Sequence, residues 1–376
     1  MSFLDVIQEY DYQQVLADIE GKTAAEVERA LAAERLRPED FKALLSPAAA
    51  AYLEPMAQKA HRQTLQRFGR NILLYAPLYL SNVCSNGCRY CGFNATNKVG
   101  RQTLSLDEAE EEARALRAKG FEHILLVTGE APTAVDNDFL AQAVRRLAPL
   151  FSSISIEVYP MDTDGYRQMV GAGVDGLTIY QETYDRGLYA EMHPFGRKRD
   201  YDWRLLTPER GGAAGLRRIG LGALLGLGHF RAEAFFVGLH ALHLGRHYWR
   251  TQVSVSFPRI RPADGGFQPL HPVSDRAFVQ LICALRLLLP DAGLVLSTRE
   301  SASLRDHLLP LGITQMSAGS STAPGGYLNK EKSTEQFAID DDRSVEEVCR
   351  MIRAKGYETV WKDWDSAFLD KAIGSH

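Results

Sequence analysis

Short apolar runs alternate with amphipathic stretches along the chain from about residue 72 onward. The amphipathic stretches, such as SLDEAEEEARALRAKG, FLAQAVRRLAPLF and RAFVQLICALRLLL, repeat their apolar positions at the period of a helix with one buried face. The eight apolar runs are ILLYAPLYL, HILLVTG, ISIEVY, GLTIYQE, IGLGALLGL, VSVSF, LVLSTR and ITQMSA. Continuous runs of this kind, rich in β-branched or aromatic residues, are typical of parallel strands that are buried on both faces. The pattern therefore predicts an α/β protein with a parallel sheet covered by helices.

Eight strand–helix repeats across about 250 residues match the size of a (β/α)8 TIM-type barrel. An open doubly wound sheet is the alternative, but such a sheet usually carries a glycine-rich phosphate loop after its first strand. Here the first strand is followed by cysteines. We therefore predict a barrel, complete or nearly so, over residues 71–321.

The two ends of the chain differ from this pattern. Residues 1–70 are polar and helical in period, and Thr23 followed by Glu26 has the spacing of a capping box. Ser46 followed by Pro47 is a second helix start signal. Residues 322–376 give a polar loop, one helix and a short terminal run. We predict an N-terminal helical extension and a C-terminal extension that covers a barrel end.

Composition narrows the class of protein. The 376 residues are 45% hydrophobic and 24% charged, as in an ordinary globular protein that buries a large core. With a net charge of −4, the chain lacks the positive electrostatic field that would attract a nucleic acid. No stretch approaches the roughly 20 apolar residues that span a bilayer, and MSFLDVIQEYDYQQ lacks the features of a signal peptide. We expect a cytoplasmic protein that binds neither nucleic acid nor membrane.

Three of the five cysteines lie in the sequence CSNGCRYC, at positions 84, 88 and 91. A reducing cytosol disfavours disulfides, and a structural zinc site needs a fourth ligand, for which no second Cys-x2-Cys or His-x3-His pair is present. Loops after barrel strands collect at the C-terminal mouth, and three thiolates there suit a soft metal centre. Cys283 and Cys349 are expected to be small core residues. We predict an iron–sulfur cluster that leaves one iron open, with zinc as the alternative.

The spacing Cys-x3-Cys-x2-Cys after the first barrel strand, with the aromatic Tyr90 before the last cysteine, resembles the radical S-adenosylmethionine (SAM) superfamily. The resemblance implies a [4Fe-4S] cluster held by Cys84, Cys88 and Cys91. It also implies S-adenosyl-L-methionine as the ligand of the open iron and source of a 5′-deoxyadenosyl radical.

The same resemblance implies cofactor contacts at other strand ends. Glu130 in VTGE corresponds to the site of the methionyl ammonium, and Gly129 would allow the backbone to approach closely. Glu182 in YQETY corresponds to a carboxylate that accepts the ribose hydroxyls. Arg204 in DWRLLT corresponds to an arginine that pairs with the methionyl carboxylate. The alternatives are an ordinary loop carboxylate for Glu130 and a surface ion pair for Arg204.

A narrower resemblance is carried by motifs along the whole chain. The sequence is similar to the tyrosine lyases of bacterial thiazole (thiamine) biosynthesis, the 2-iminoacetate synthases. The resemblance implies radical cleavage of the Cα–Cβ bond of L-tyrosine, giving 2-iminoacetate (dehydroglycine) and p-cresol. The motifs are PLYLSNVCSNGCRYCGF, LLVTGEAP, YQETY, IGLGALLGL, SVSFPRIRP, LSTRES, PGGY and WKDWDS.

The substrate residues are expected from the same resemblance and from the chemistry of an amino acid. Arg259 in SFPRIRP is expected to bind the substrate carboxylate, and Arg261 to point away or to pair elsewhere. Tyr79 resembles a tyrosine near the substrate amine, with a half-buried strand aromatic as the alternative. The phenol needs a polar partner, because an unpaired buried hydroxyl costs about 1–3 kcal/mol. Candidates for that partner are Ser297, Arg299 and Glu300.

Relatives with other reactions remain as alternatives, namely tryptophan lyases, deazaflavin-assembling enzymes and the tyrosine lyases of hydrogenase maturation. The last carry a second cysteine-held cluster in their C-terminal extension, whereas this tail has only Cys349. A non-catalytic zinc scaffold is an alternative of another class. The resemblance also implies two partners: a thiazole synthase subunit that receives 2-iminoacetate, and a flavodoxin-type electron donor.

Overall fold

The eight apolar runs form the eight strands of a closed parallel barrel. In the computed structural model, which describes residues 1–329 and 334–365, each strand pairs with the next and the last pairs with the first. The barrel closes where β1 meets β2 through Ala76 and Ile124, and β8 through Leu73 and Gln315. The strands are β1 Asn71–Ser81, β2 His123–Thr128, β3 Ser153–Glu157, β4 Gly176–Glu182, β5 Arg218–Ala223, β6 Gln252–Ser256, β7 Gly293–Leu296 and β8 Gln315–Ser317. The predicted (β/α)8 barrel is confirmed.

Helices link the strands on the outside of the barrel. Side-chain caps fix where several of them begin: the Ser105 hydroxyl accepts from the backbone N–H of Glu108, and the Ser274 hydroxyl from that of Ala277. Five N-terminal helices precede them in the chain, so the numbering of the linking helices starts at α6. They are α6 Leu106–Ala118, α7 Asn137–Leu147, α8 Thr163–Ala172, α9 Arg186–Met192, α10 Tyr201–Leu205, α11 Thr207–Ala213, α12 Phe230–His247, α13 Asp275–Leu288 and α14 Ala302–Leu308.

The N-terminal helices pack against the outer layer of the barrel, mainly on α12 and α13. The predicted capping box is present, since Thr23 and Glu26 each accept from the other's backbone N–H. Pro47 begins a 3-10 turn over Ala48–Tyr52, and the α-helix proper starts only at Leu53. The five helices are α1 Phe3–Ile7, α2 Tyr12–Glu20, α3 Ala24–Ala32, α4 Pro38–Leu45 and α5 Leu53–Phe68.

The C-terminal segment contacts both ends of the barrel. Gln336 and Phe337 lie at the mouth, beside the cysteine loop. After α15 (Val345–Ala354), the short strand β9 (Glu358–Val360) pairs with the first residues of β1, at the opposite end. The boundaries of the two extensions stay predictions, and residues 330–333 and 366–376 lie outside the described part.

Cys283 and Cys349 are buried in the main hydrophobic core, as predicted. Over the residues that the structure describes, no helix has the length and apolarity needed to cross a membrane.

Candidate active site

The cysteine loop follows β1 at the C-terminal mouth of the barrel. Cys88 is buried, while Cys84 and Cys91 are partly exposed. Two backbone hydrogen bonds dock the loop on the segment after α9, from Gly87 N–H to the carbonyl of Phe195 (3.1 Å) and from Arg89 N–H to that of Met192 (3.1 Å). Gly87 is needed for this approach, because an added Cβ would lie 2.3 Å from the Phe195 ring. The three thiols are therefore presented by a loop that is fixed on both sides.

The donor set of this loop fits an iron–sulfur cluster. All five cysteines are free thiols, and three soft sulfur donors with no fourth protein ligand suit a cluster with one open iron. Burial raises the pKa of the Cys88 thiol to about 12, so loading requires the positive charge of the metal to displace the proton. Among the described residues, no three His, Cys, Asp or Glu side chains converge on one metal-ion position. A cluster does not require such convergence, because each cysteine binds a different iron.

An outer cavity opens at the mouth directly beside these cysteines. It is lined by all five residues predicted to contact the cofactor. Gly129 forms part of its wall, where a Cβ would lie 2.3 Å from the carbonyl oxygen of Val83. The backbone thus passes the cysteine loop at a distance that only glycine allows. The predicted residues in its lining are Tyr90, Gly129, Glu130, Glu182 and Arg204, together with Cys84, Cys88 and Cys91.

Glu130 is tied to the cysteine loop through both its side chain and its backbone. Its carboxylate accepts a hydrogen bond from Asn86 Nδ2 (2.8 Å), and its carbonyl accepts from the backbone N–H (3.0 Å) and hydroxyl (2.9 Å) of Ser85. The side-chain oxygen Oδ1 of Asn86 accepts in turn from the backbone N–H of Lys198 (3.0 Å). Glu130 is therefore a fixed, buried carboxylate at the cavity wall and not a free loop residue.

Glu182 points into the outer cavity because of an unusual backbone conformation. It ends β4 at a register shift and has a φ of +70°, a left-handed value that few non-glycine residues adopt. Its Oε1 lies 2.6 Å from Lys198 Nζ and 3.5 Å from Arg204 Nη2. Burial alone would raise the pKa of Glu182, but the two cations outweigh burial and lower it. The carboxylate is thus held ionised inside the cavity.

Tyr90 and Arg204 are both engaged in the wall of this cavity. The Tyr90 hydroxyl pairs with His193 Nε2 (2.8 Å), and burial lowers the pKa of His193 to about 3, so the imidazole is neutral. Arg204 Nε donates to the carbonyl of Tyr180 (2.6 Å), which fixes the guanidinium beside Glu182.

An inner cavity lies deeper in the barrel and adjoins the outer one. Tyr79 lines it and donates a hydrogen bond of 2.7 Å to the Gln336 side-chain oxygen. Arg299 lines it as well, with its guanidinium carbon 3.3 Å from the centre of the Phe337 ring. Ser297 and Glu300 complete the set of predicted substrate residues in this lining. The predicted cofactor residues therefore line the outer cavity, and four of the predicted substrate residues line the inner one.

Comparison with known proteins identifies the family. The radical SAM superfamily model matches residues 78–234, and that of the biotin and thiamin synthesis associated domain matches residues 256–358. The 2-iminoacetate synthase of Escherichia coli (strain K12) is 48% identical over 372 residues, covering 99% of this chain and 98% of the relative. That of Salmonella typhimurium (strain LT2) is 47% identical over 366 residues, 97% of either chain. The chain belongs to the 2-iminoacetate synthase family.

The family assignment agrees with the fold and with the cysteine loop. A crystal structure of HydG, a maturase of the [FeFe]-hydrogenase, superposes with a TM-score of 0.88 at 29% identity, covering 96% of this chain and 84% of that one. As a radical SAM enzyme, the chain uses a [4Fe-4S] cluster and S-adenosyl-L-methionine.

Arg259, which was predicted to bind the substrate carboxylate, is engaged by other protein groups. Arg259 is bound by Glu300 and by Asp275 (2.8 Å), donates to the carbonyl of Val273, and is absent from the lining of both cavities. Its guanidinium is therefore not available for a substrate carboxylate. Arg261, which was expected to point away or to pair elsewhere, pairs with Asp340 (3.1 Å) and lines the outer cavity. Glu300 lines the inner cavity with its carboxylate engaged by Arg259.

Three residues that line the cavities were missed by sequence reasoning. Lys198 pairs with Glu182, and Gln336 links Tyr79 to the tail, but neither belongs to a strand end. Glu157 is the last residue of β3 and lines both cavities. Its signal was present in the run ISIEVY, where one carboxylate interrupts an apolar strand.

Proposed function

We propose that this chain cleaves the Cα–Cβ bond of L-tyrosine with a 5′-deoxyadenosyl radical, giving 2-iminoacetate and p-cresol. The observation that carries the proposal is the pair of adjoining cavities beside the three cysteines, in a chain of the 2-iminoacetate synthase family. One cavity has the polar groups that a cofactor with an amino-acid end and a ribose requires. The other is lined by aromatic and polar side chains that can contact an aromatic amino acid.

The outer cavity is the proposed cofactor site. When bound, the cluster and S-adenosylmethionine supply the one-electron chemistry that gives the 5′-deoxyadenosyl radical. Glu130 and the backbone at Gly129 are proposed to hold the methionyl ammonium, and Arg204 the methionyl carboxylate, since a guanidinium can bond both oxygens. Glu182, held ionised by Lys198, is proposed to accept hydrogen bonds from the ribose hydroxyls.

The inner cavity is the proposed tyrosine site. The substrate phenol needs a partner there, and Ser320 Oγ is a buried hydroxyl at this cavity with no hydrogen-bond partner among the described residues. Ser297 is the second candidate. Glu300 is less available as a partner for the phenol, because Arg259 forms an ion pair with its carboxylate. Tyr79 is proposed to border the substrate head.

The protein must also keep water out of the site, since the radical has to react with one substrate hydrogen before any other molecule quenches it. The C-terminal segment contributes to this, because Gln336 and Phe337 lie between the two cavities and cover the cysteine loop. The Gln336 carbonyl accepts a hydrogen bond from Gly92 N–H (3.1 Å), next to Cys91.

A reactive imine product and a one-electron reaction each require a partner. We propose hand-off of 2-iminoacetate to a thiazole synthase subunit and reduction by a flavodoxin-type donor. We also propose a cytoplasmic location, since a reducing compartment keeps the cysteine thiols free to bind the cluster.

The test is an anaerobic assay of the reconstituted protein with S-adenosylmethionine, reductant and L-tyrosine. We expect p-cresol to form in proportion to 5′-deoxyadenosine, together with glyoxylate from hydrolysis of 2-iminoacetate. Deoxyadenosine without cresol would reject tyrosine as the substrate. A parallel assay with L-tryptophan tests the nearest alternative.

A further inference from the structure

The two cavities share a small set of residues, and these mark where the cofactor site meets the substrate site. Only two of them carry a charge: Glu157 and Arg299. Any substrate whose reacting end faces the cofactor must therefore place that end beside one carboxylate and one guanidinium. The shared residues are Val127, Glu157, Tyr180, Pro258, Arg299, Gln336 and Phe337.

Glu157 differs from the other carboxylates that line the cavities. Glu130 accepts from Asn86, Glu182 is paired with Lys198, and Glu300 is paired with Arg259. The Glu157 carboxylate makes no hydrogen bond or ion pair with any residue in the described part of the chain. A carboxylate that lines a cavity with no protein partner is free to bind a donor from a ligand.

Charged groups on several elements face Glu157. Burial and, to a smaller extent, the charge of Glu182 together raise the pKa of Glu157 to about 7, against the opposing effect of three cations. At neutral pH the side chain is therefore present both as a carboxylate and as a carboxylic acid, as a proton acceptor requires. The facing groups are Glu182, Arg299, Lys198 and Arg204, with the phenols of Tyr75, Tyr79 and Tyr180 around them.

Tyrosine enters as a zwitterion, whereas the reaction removes a hydrogen atom from its nitrogen. An ammonium has no lone pair to stabilise the nitrogen radical that results, so a proton must leave first. We propose that Glu157 is the base that takes this proton from the tyrosine ammonium, with Arg299 holding the α-carboxylate beside it. The inference rests on the proposed tyrosine lyase function.

The step is a proton transfer without change of oxidation state. One N–H bond of the ammonium breaks and its electron pair stays on nitrogen as the lone pair. The proton forms an O–H bond on Glu157, which changes from carboxylate to carboxylic acid. The neutral amine then offers its hydrogen to the radical that the cofactor supplies.

The test compares wild type, Glu157→Gln and Glu157→Asp as reconstituted full-length enzyme with S-adenosylmethionine, from about pH 6 to 9. For wild type we expect kcat to fall as the pH drops below about 7, because the base becomes protonated. In Glu157→Gln we expect a loss of about 10²-fold or more at pH 7. Its rate should then rise with pH, because only tyrosine that is already neutral can react. Glu157→Asp should retain the acid limb at a reduced rate.

Glu233→Gln is the matched control. Glu233 is also buried, with its pKa raised to about 7, but it is bonded to Thr183, Tyr184 N–H and Tyr12, away from both cavities. Its pH profile should keep the shape of the wild type.

The possible outcomes distinguish a failure of the base assignment from a failure of the proposed tyrosine lyase function. If the wild type makes deoxyadenosine but no cresol, the proposed function is rejected, whatever the variants do. A wild type that makes cresol, with a Glu157→Gln profile that keeps the wild-type inflection near pH 7, overturns the base assignment alone. A rise in KM without a change of profile overturns it as well, since it indicates ion pairing only. If Glu157→Gln fails to take up iron, the Glu157→Asp profile decides: a retained acid limb supports the base, and its loss contradicts it.

Discussion

The Tyr79 hydroxyl donates a hydrogen bond of 2.7 Å to the Gln336 side-chain oxygen, across 257 positions of sequence. The bond joins the first barrel strand to the C-terminal segment. The amide nitrogen of the same side chain lies 3.8 Å from Cys91 Sγ. Gln336 therefore connects the substrate cavity, the cluster loop and the tail that covers them.

Replacing Gln336 with alanine should loosen this cover without removing any predicted cofactor or substrate contact. We expect more deoxyadenosine per cresol, because radicals are quenched when water reaches the site. We also expect faster bleaching of the cluster in air. The measurements are the two product yields and the visible absorbance over time. Gln58→Ala is the control, because Gln58 bonds only Glu54 on the exposed face of α5. An unchanged product ratio would contradict the covering role.

The barrel could be predicted from the sequence because its strands are buried on both faces and appear as unbroken apolar runs. β2 shows this directly, since five of its six residues are buried. The positions of the three cysteines and of Glu182 were predictable for a related reason, because they lie at or after the ends of strands that must meet at the mouth.

What the sequence did not predict depends on contacts between distant segments. Lys198 reaches Glu182 from a 3-10 turn, and Gln336 reaches Tyr79 from the tail. The surroundings of Arg259 could not be predicted because β6 ends at Ser256, and the chain returns to strand-like pairing only through a single bridge between Arg259 and Leu225. Pro258 lacks the N–H that a continued strand needs, and Glu300 then fixes Arg259 away from the cavities.

The cysteines should separate cleanly into cluster ligands and core residues. Cys88→Ala should lose iron and sulfide and abolish both deoxyadenosine and cresol. Cys283→Ala should keep the cluster, because Cys283 is a fully buried residue of α13. We expect this substitution to lower the free energy of unfolding by about 1 kcal/mol, because the smaller side chain leaves a cavity in the core. Iron content, product yields and thermal unfolding measure the two effects. Turnover by Cys88→Ala would reject the cluster assignment.

The two arginines near the substrate cavity should give opposite phenotypes. Arg299→Lys should raise the KM for tyrosine while stability changes little, because a lysine cannot bond a carboxylate at two points. Arg259→Ala should leave the KM nearly unchanged but destabilise the fold by about 3 kcal/mol, since it leaves the buried Glu300 without its partner. Tyrosine titrations and denaturant unfolding test both. A large KM effect of Arg259→Ala with normal stability would restore Arg259 as the carboxylate anchor.

A charge cluster at the opposite end of the barrel should make stability depend on pH. Asp363, just after β9, lies 3.2 Å from His123 Nε2 and pairs with Arg218 at the starts of β2 and β5. Burial alone would raise the pKa of Asp363, but His123 and Arg218 outweigh it and lower the pKa well below 3.8. The ionised carboxylate is thus favoured in the folded state. Its contribution to stability is fully present above about pH 4 and is lost as the pH falls further.

Asp363→Asn should therefore lower the free energy of unfolding at pH 7, by about 1–2 kcal/mol because the site is partly exposed. The difference from wild type should shrink as the pH is lowered through 4, where wild type also loses the charge. Urea unfolding at several pH values measures this. Asp291→Asn is the control, since Asp291 forms only an exposed pair with Arg67 and should change stability by less than about 0.5 kcal/mol. A difference that stays constant with pH would mean that Asp363 acts through packing and not through its charge.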